Sequence, residues 1–380
     1  MIYCMIKSVL SKKPLVNSKF TMNNSLNQRS LLLYHSAIKS EKTQRQYDYQ
    51  LKCFKEYSAI KSFDKLVEIE PKKLQTMIED YVMYARDQGQ GLSSIRAKLV
   101  ALKLFFVMND VLLNWDKLRK MIPEKTKSTG ERPYTTQEIE ILVKSSKTLR
   151  YRALMQFMAS SGVRVGCFEE LKMKHLKDMP NGCKSVLVYA DTKDEYYTFI
   201  HQEAVEALDE YLEFRTRKGE TITPDSWVFC SPCDTTKPSS TESTTTTLSR
   251  HVKRSLGREE SKHGRYEIMT CHGFRKRFIT ILKSNPSVNI SLAEKLAGHS
   301  VTIPLDNSYF KPLLEQLFDE YQKVIPKLFI DDKYRLQSQI QSQQDEIDLL
   351  QDKNTEIENL QKTILQIQNN MLELQKRHNS

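Results

Sequence analysis

Apolar residues recur every three or four positions in three early stretches of the chain. In "SEKTQRQYDYQLKCFKEYSAI" they are Tyr47, Leu51 and Phe54. In "PKKLQTMIEDYVMYARDQG" they are Leu74, Ile78, Tyr81 and Ala85, and Gly89 follows. In "GLSSIRAKLVALKLFFVMND" they are Ile95, Leu99, Leu102 and Phe106. This spacing predicts amphipathic helices that bury one face against each other. Arg96, Lys98 and Lys103 fall away from that face, which suits a solvated surface as well as one turned to an anionic partner. Residues 1–38 are polar and irregular and predict a flexible segment, so the helical domain is expected over 39–122.

"PEKTKSTGERP", Pro123 to Pro133, has proline at both ends and Gly, Ser, Thr and Lys between, the composition of a linker. Beyond it Thr135 and Glu138 form a capping-box pair that opens a helix through Lys147. "LRYRALMQFMASSG" predicts a more buried helix stopped by Gly162. In "CKSVLVYADTKDEYYTFI" two β-rich runs flank "DTKD", which predicts a hairpin with Lys193 at its tip. Gln202 to Lys218 reads as a helix, "DSWVFC" as a short strand, and Ser231 to Ser249 as a Ser/Thr-rich mobile loop. Helices then dominate to about Phe329. The expected fold is mainly α with a small antiparallel β-sheet (α+β), the second domain spanning 134–330.

From Tyr334 the pattern changes. Leu336, Ile340, Ile347, Leu350 and Ile357 keep the alternating three- and four-residue spacing of a coiled coil. Gln343 and Asn354 occupy the same seam. After Ile357 the stripe continues through Leu360, Ile364, Ile367, Met371 and Leu374 with a three-residue jump in phase. A tail over 331–380 that is polar apart from one stripe needs a cover for it, either another copy or a host factor.

Charge sharpens the picture. The 380 residues carry a net charge of +11. From Asp332 to Ser380 there are six Lys/Arg against eight Asp/Glu, so the basic excess sits in the body. A basic body points to nucleic acid or an anionic membrane surface. No apolar run reaches the ~18 residues of a transmembrane helix, and the opening "MIYCMIKSVLSKKPLV" is too interrupted by Lys for a secretory signal. Met22 offers an alternative start. Seven cysteines without framework spacing suit a reducing cytoplasm. Cys230 and Cys233 form one CxxC with no second pair, which reads as a loop with two thiols, not a zinc site. No metal and no cofactor are expected.

The candidate chemistry centres on "MTCHGFRKRFITIL", Met269 to Leu282. His272, Arg275 and Lys276 crowd the start of a helix, whose free N–H groups already favour an anion. Four more positions follow the same logic in chain order: Arg164 in "SSGVRVG", Lys193 on the hairpin, and His299 and Tyr309 in "SLAEKLAGHSVTIPLDNSYFKP". In the last stretch Ser291 and Glu294 read as a capping box and Gly298 as a helix-ending residue. Each signal alone is weak; their order is informative.

That order resembles the tyrosine recombinase (integrase) family, which includes the Xer recombinases and phage integrases, and "HGFRKRF" with "GHS…LDNSYFKP" looks most like its archaeal integrase branch. The resemblance spans about residues 40 to 330. It implies a helical core-binding domain and a mixed catalytic domain clamped on double-stranded DNA. It makes Arg164 and Arg275 the pair on the scissile phosphate and Lys193 the donor to the leaving 5′ oxygen. It places His272 and His299 at the two histidine positions and Tyr309 as nucleophile; should Tyr309 not carry the DNA, Tyr321 is the next candidate. Many members have an acidic residue three after the first arginine; here Cys167 stands there, and Glu169 and Glu170 are the nearby substitutes.

Such residues suit attack by a phenol on a phosphodiester. Two guanidinium forks match the non-bridging oxygens and keep their protons. Tyrosine, with a pKa near 10, needs a proton acceptor, either His272 or the phosphate. The product would be a 3′-phosphotyrosine link formed without a metal. The expected function is site-specific recombination, integrating or excising a mobile element, with a homo-oligomer, four copies on paired sites, and no membrane. The alternatives are type IB topoisomerase-like nicking and closing, and an inactive DNA-binding or scaffold protein.

Overall fold

The computed structural model describes residues 28–124, 132–257, 267–299 and 310–378. The chain divides into two compact units, Met1–Lys127 and Ser128–Ser380.

In the first unit six helices enclose one core: α1 (Arg29–Ser36), α2 (Glu41–Tyr57), α3 (Phe63–Val67), α4 (Pro71–Asp87), α5 (Leu92–Met108) and α6 (Trp115–Lys120). Leu51, Phe54, Leu74, Ile78, Ile95 and Phe106 are fully buried, as their spacing predicts. The segment before residue 39 is not irregular throughout. Residues 29–36 form a helix whose Tyr34 is completely buried beside Phe105. Asn109 Nδ2 donates to Ser30 O at 3.1 Å, and Ser30 N donates to Asp64 Oδ1 at 3.0 Å. An eight-residue helix held by Leu31 and Tyr34 is too short to show a period in sequence. On the outer face Arg96 and Lys103 are exposed, whereas Lys98 donates to Tyr81 Oη at 2.9 Å and lies over its ring.

The second unit begins with α7 (Thr136–Ser145), opened by the Thr135/Glu138 capping box, and α8 (Leu149–Ser161). Every residue of α8 from Ala153 to Ser161 is buried. Strands β1 (Leu176–Met179), β2 (Cys183–Val188) and β3 (Tyr196–Ile200) make an antiparallel sheet in the order β1-β2-β3. Val188 pairs with Tyr196 at the mouth of the β2–β3 hairpin. Then come α9 (Gln202–Arg217), α10 (Thr241–Leu256), α11 (Thr270–Ser284), α12 (Ile290–Leu296), α13 (Leu314–Gln322), α14 (Ile325–Leu328) and the 47-residue α15 (Asp332–His378). No described helix is long and apolar enough to cross a membrane.

Three local expectations need correction. The Ser/Thr-rich stretch is not all loop: Ser240 caps α10, whose Thr244, Leu248 and Val252 are buried four residues apart. Polar composition hid that stripe. "DSWVFC" forms no strand; Trp227 and Cys230 make single bridges to Lys172 and Pro238, while Val228 and Phe229 are fully buried. The cap of α12 is Asn289, whose Oδ1 accepts from Ser291 N at 2.9 Å, and not Ser291. Glu294 is thereby released for another task.

Candidate active site

Three chain segments meet around Arg275. Helix α11 starts without a side-chain cap and with no acidic residue in its first turn, so its terminal donors and dipole are not neutralised locally. One turn in, Arg275 is 1 % exposed. Its Nη1 donates to Gly162 O at 2.7 Å, and its Nη2 donates to Ala297 O. Gly162 closes α8 and Ala297 closes α12. A single guanidinium therefore ties two helix ends to a third helix. Arginine has five N–H donors; two are spent on these carbonyls, and the buried Nε has no partner among the described residues.

Arg164 lies two residues beyond Gly162 and is exposed. Its Nη1 donates to Gly298 O at 3.2 Å. The two arginines thus bind consecutive carbonyls of the same turn. Both glycines are needed for that turn. Gly162 has φ +63° and Gly298 has φ +57°, a left-handed conformation that suits glycine. A Cβ at Gly162 would stand 2.6 Å from Phe278 Cγ, and one at Gly298 would stand 2.6 Å from Tyr196 Cζ.

Cys167, at the position where an acidic residue was expected, is buried, and burial first and Glu170 second push its thiol far above the ordinary value. It brings no charge to Arg164. Nor does Glu169, whose Oε1 accepts from Thr241 N at 2.7 Å at the start of α10. The acceptor that Arg164 finds instead is the backbone carbonyl of Gly298. No sequence motif marks a carbonyl, so this part of the site was not legible beforehand.

The histidines flank the arginines. His272 is exposed on the first turn of α11. Nearby protein bulk first, then the charges of Arg275, Lys276, Arg164 and His299, hold its pKa below 6.5. His299 Nδ1 lies 2.7 Å from Glu294 Oε2. Glu294 is buried, which by itself raises its pKa, but hydrogen bonds from Lys283 and His299 outweigh burial and keep it below the ordinary carboxyl value. An ionised carboxylate only accepts, so Nδ1 carries the proton and Nε2 is the free edge of the ring.

Lys193 is exposed between β2 and β3. Its loop is braced by Thr192 Oγ1, which donates to Tyr189 O at 2.8 Å, and by Asp191 N, which donates to Glu195 Oε2 at 2.8 Å. Tyr196 sits under Gly298 with its hydroxyl buried. Burial, helped by Cys167, pushes that phenol up to about 12 against the pull of Arg275. Nothing in the sequence sets Tyr196 apart from the many other aromatics. The structure brings together Arg164, His272, Arg275 and His299; Tyr309 lies outside the described residues. Tyr321 is excluded as a substitute. It is fully buried, and its hydroxyl donates to Ser160 O at 3.1 Å and lies 2.8 Å from Ser160 Oγ.

Two arginines bound to the carbonyls of neighbouring helix ends thus lie beside two histidines, one at the start of a helix. Residues 134–311 match the phage integrase family of tyrosine recombinases, so the chain carries a domain of that family. It is an enzyme of that type. Among solved structures it resembles the Tn1549 transposon integrase in complex with circular intermediate DNA, at 17% identity and TM-score 0.53, covering 77% of this chain and 99% of that one. It also resembles a lambda integrase dimer bound to a COC′ core site, at 18% identity and TM-score 0.51, covering 77% and 79%. At such identities the likeness is one of fold. No curated protein matches the chain.

Proposed function

We propose that this chain is a site-specific DNA recombinase that cuts and rejoins strands through a 3′-phosphotyrosine link on Tyr309. The observation that carries this reading is the pair of arginines fixed on the carbonyls of Gly162, Ala297 and Gly298, with donors to spare. A scissile phosphate gains charge as the phenol oxygen bonds to phosphorus, and preorganised donors aimed at that charge lower the barrier most. The bond from phosphorus to the 5′ oxygen breaks, and Lys193 supplies the proton that oxygen takes. The phenol proton passes to His272, which its neighbours keep neutral. His299, held at Nδ1 by Glu294, turns Nε2 to the phosphate and donates there to a phosphate oxygen in its doubly protonated form. The helical unit, with its exposed Arg96 and Lys103, tracks the duplex backbone. Four copies act on two paired sites in the cytoplasm, held partly by the C-terminal helix.

The test is covalent capture. The full chain is incubated in chelator with a pool of random-sequence duplexes, denatured, and the attached DNA sequenced. A protein–DNA adduct enriched for one sequence is expected. Adducts that form only with added divalent metal, or none, would overturn the reading.

A pH dependence follows from His272. Below its pKa the ring is protonated and cannot take the phenol proton, so cleavage falls as pH drops. Because that pKa is held below 6.5, the acid limb of the single-turnover rate is expected below pH 6.5, and His272→Gln is expected to remove it. A limb centred above 6.5 in the native chain would contradict the assignment.

A further inference from the structure

From Gln339 to Ile367 every residue of α15 is exposed. Its stripe includes Ile340 at 66%, Leu350 at 58% and Ile364 at 55% exposure. Most helical stability in proteins comes from packing an amphipathic face, and here that face is bare. Its root, by contrast, is fixed. Glu203, on α9, accepts from Ile330 N at 2.8 Å and Asp331 N at 3.0 Å, and Tyr334 donates to Glu206. The stripe begins two residues later.

We infer that a second copy of this chain covers the stripe, and that the two α15 helices run parallel and in register as a two-stranded coil. This deepens the self-association in the functional reading and rests on it only for its purpose, not for its evidence. Four features of the seam carry the inference. With Ile340 at an a position, Ile347 also falls at a, and Leu336, Leu350 and Ile357 at d; past the phase jump the register resets, and Ile364 falls at a with Leu360 and Ile367 at d. β-Branched residues at a with leucine at d favour two parallel strands. Asn354 takes an a position and Gln343 a d position. In register each meets its own copy and shares a hydrogen bond; displaced by a heptad, each amide would be buried against an aliphatic partner. The phase jump at Ile357 is matched in both strands only when they are aligned. Lys353 at g and Glu358 at the following e, both exposed in the single chain, pair across a parallel interface.

An antiparallel pair fits worse. The alignment that sets Gln343 opposite Asn354 places Ile347 opposite Leu350. It then runs Ile364, Ile367 and Met371 against the partner's root, beyond the start of its stripe. Parallel alignment covers the whole stripe, about 50 Å of helix at 1.5 Å per residue, and holds two catalytic units at the same end of one coil.

The test uses the full chain without DNA. At micromolar concentration the sedimenting mass is expected to be twice the 44.4 kDa of one chain. Mild oxidation of Leu350→Cys is expected to convert most of the protein to a disulfide-linked dimer, while the native chain, with its own seven cysteines, sets the background. Asn354→Ile is expected to raise the mass above that of a dimer. A monomer or a trimer would overturn the inference. So would cross-linking confined to a mixture of Ile347→Cys and Leu350→Cys chains, the mark of antiparallel pairing. DNA cleavage is measured on the same samples. A monomer that still cleaves sinks the coil and spares the recombinase; a dimer that never cleaves does the reverse.

Discussion

Arg275→Ala is expected to cut the rate of covalent adduct formation by about 10³-fold, at the upper end of what one donor to a developing oxyanion contributes. It is also expected to destabilise the second unit. Its removal orphans Gly162 O and Ala297 O, and a buried unsatisfied group costs roughly 1–3 kcal/mol. In a unit of this size that lowers the Tm by several degrees, at ~2–4 °C per kcal/mol. Arg275→Lys rescues little, because an ammonium cannot bridge two carbonyls and a phosphate as a planar fork does. Arg164→Ala provides the contrast. Arg164 is exposed and makes a single bond to Gly298 O, so its loss is expected to slow cleavage with almost no change in Tm. Thermal unfolding and single-turnover adduct formation, measured well below the lowest Tm, separate the two effects. Equal Tm changes for both variants, or Arg275→Ala cleaving within tenfold of the native rate, would contradict this division of labour.

The second large effect is expected at Gly298. Alanine there must adopt φ +57° and place its Cβ in the Tyr196 ring. The left-handed conformation costs about 1–2 kcal/mol and the overlap about 1–3 kcal/mol more. The turn that carries Gly298 O and His299 is displaced as a result. Misplacement by ~1 Å can cost ~10²-fold in rate. Replacing Tyr196 by alanine as well removes the overlap but not the backbone strain. A double-mutant cycle of urea unfolding is therefore expected to show favourable coupling of about 1–3 kcal/mol, the range for residues in contact. Additive effects would mean that Gly298 and Tyr196 do not touch.

Sequence and structure agree where periodicity is long or glycine is forced. The helices through Phe54, Ile78 and Phe106, the hairpin that carries Lys193, and the left-handed closures at Gly162 and Gly298 were all readable. α1 and α10 were not, because one is too short and the other too polar for its buried stripe to stand out. At the candidate site, the order of side-chain types singles out Arg164, His272, Arg275 and His299, which the structure places near one another. What holds the arginines was invisible, since the acceptors are main-chain oxygens and every residue has one. The work of Glu294 was hidden as well: a position that looks like a cap box glutamate is occupied by His299 and Lys283 instead.

The most direct measurement is the identity of the residue that carries DNA. Captured adducts are digested with nuclease and protease, and the nucleotide-bearing peptide is sequenced by mass spectrometry. A 3′-nucleotide on the phenol of Tyr309 is the expected result. Attachment at any other side chain, or at a 5′ end, would contradict a phenol striking a phosphate gripped by Arg164 and Arg275.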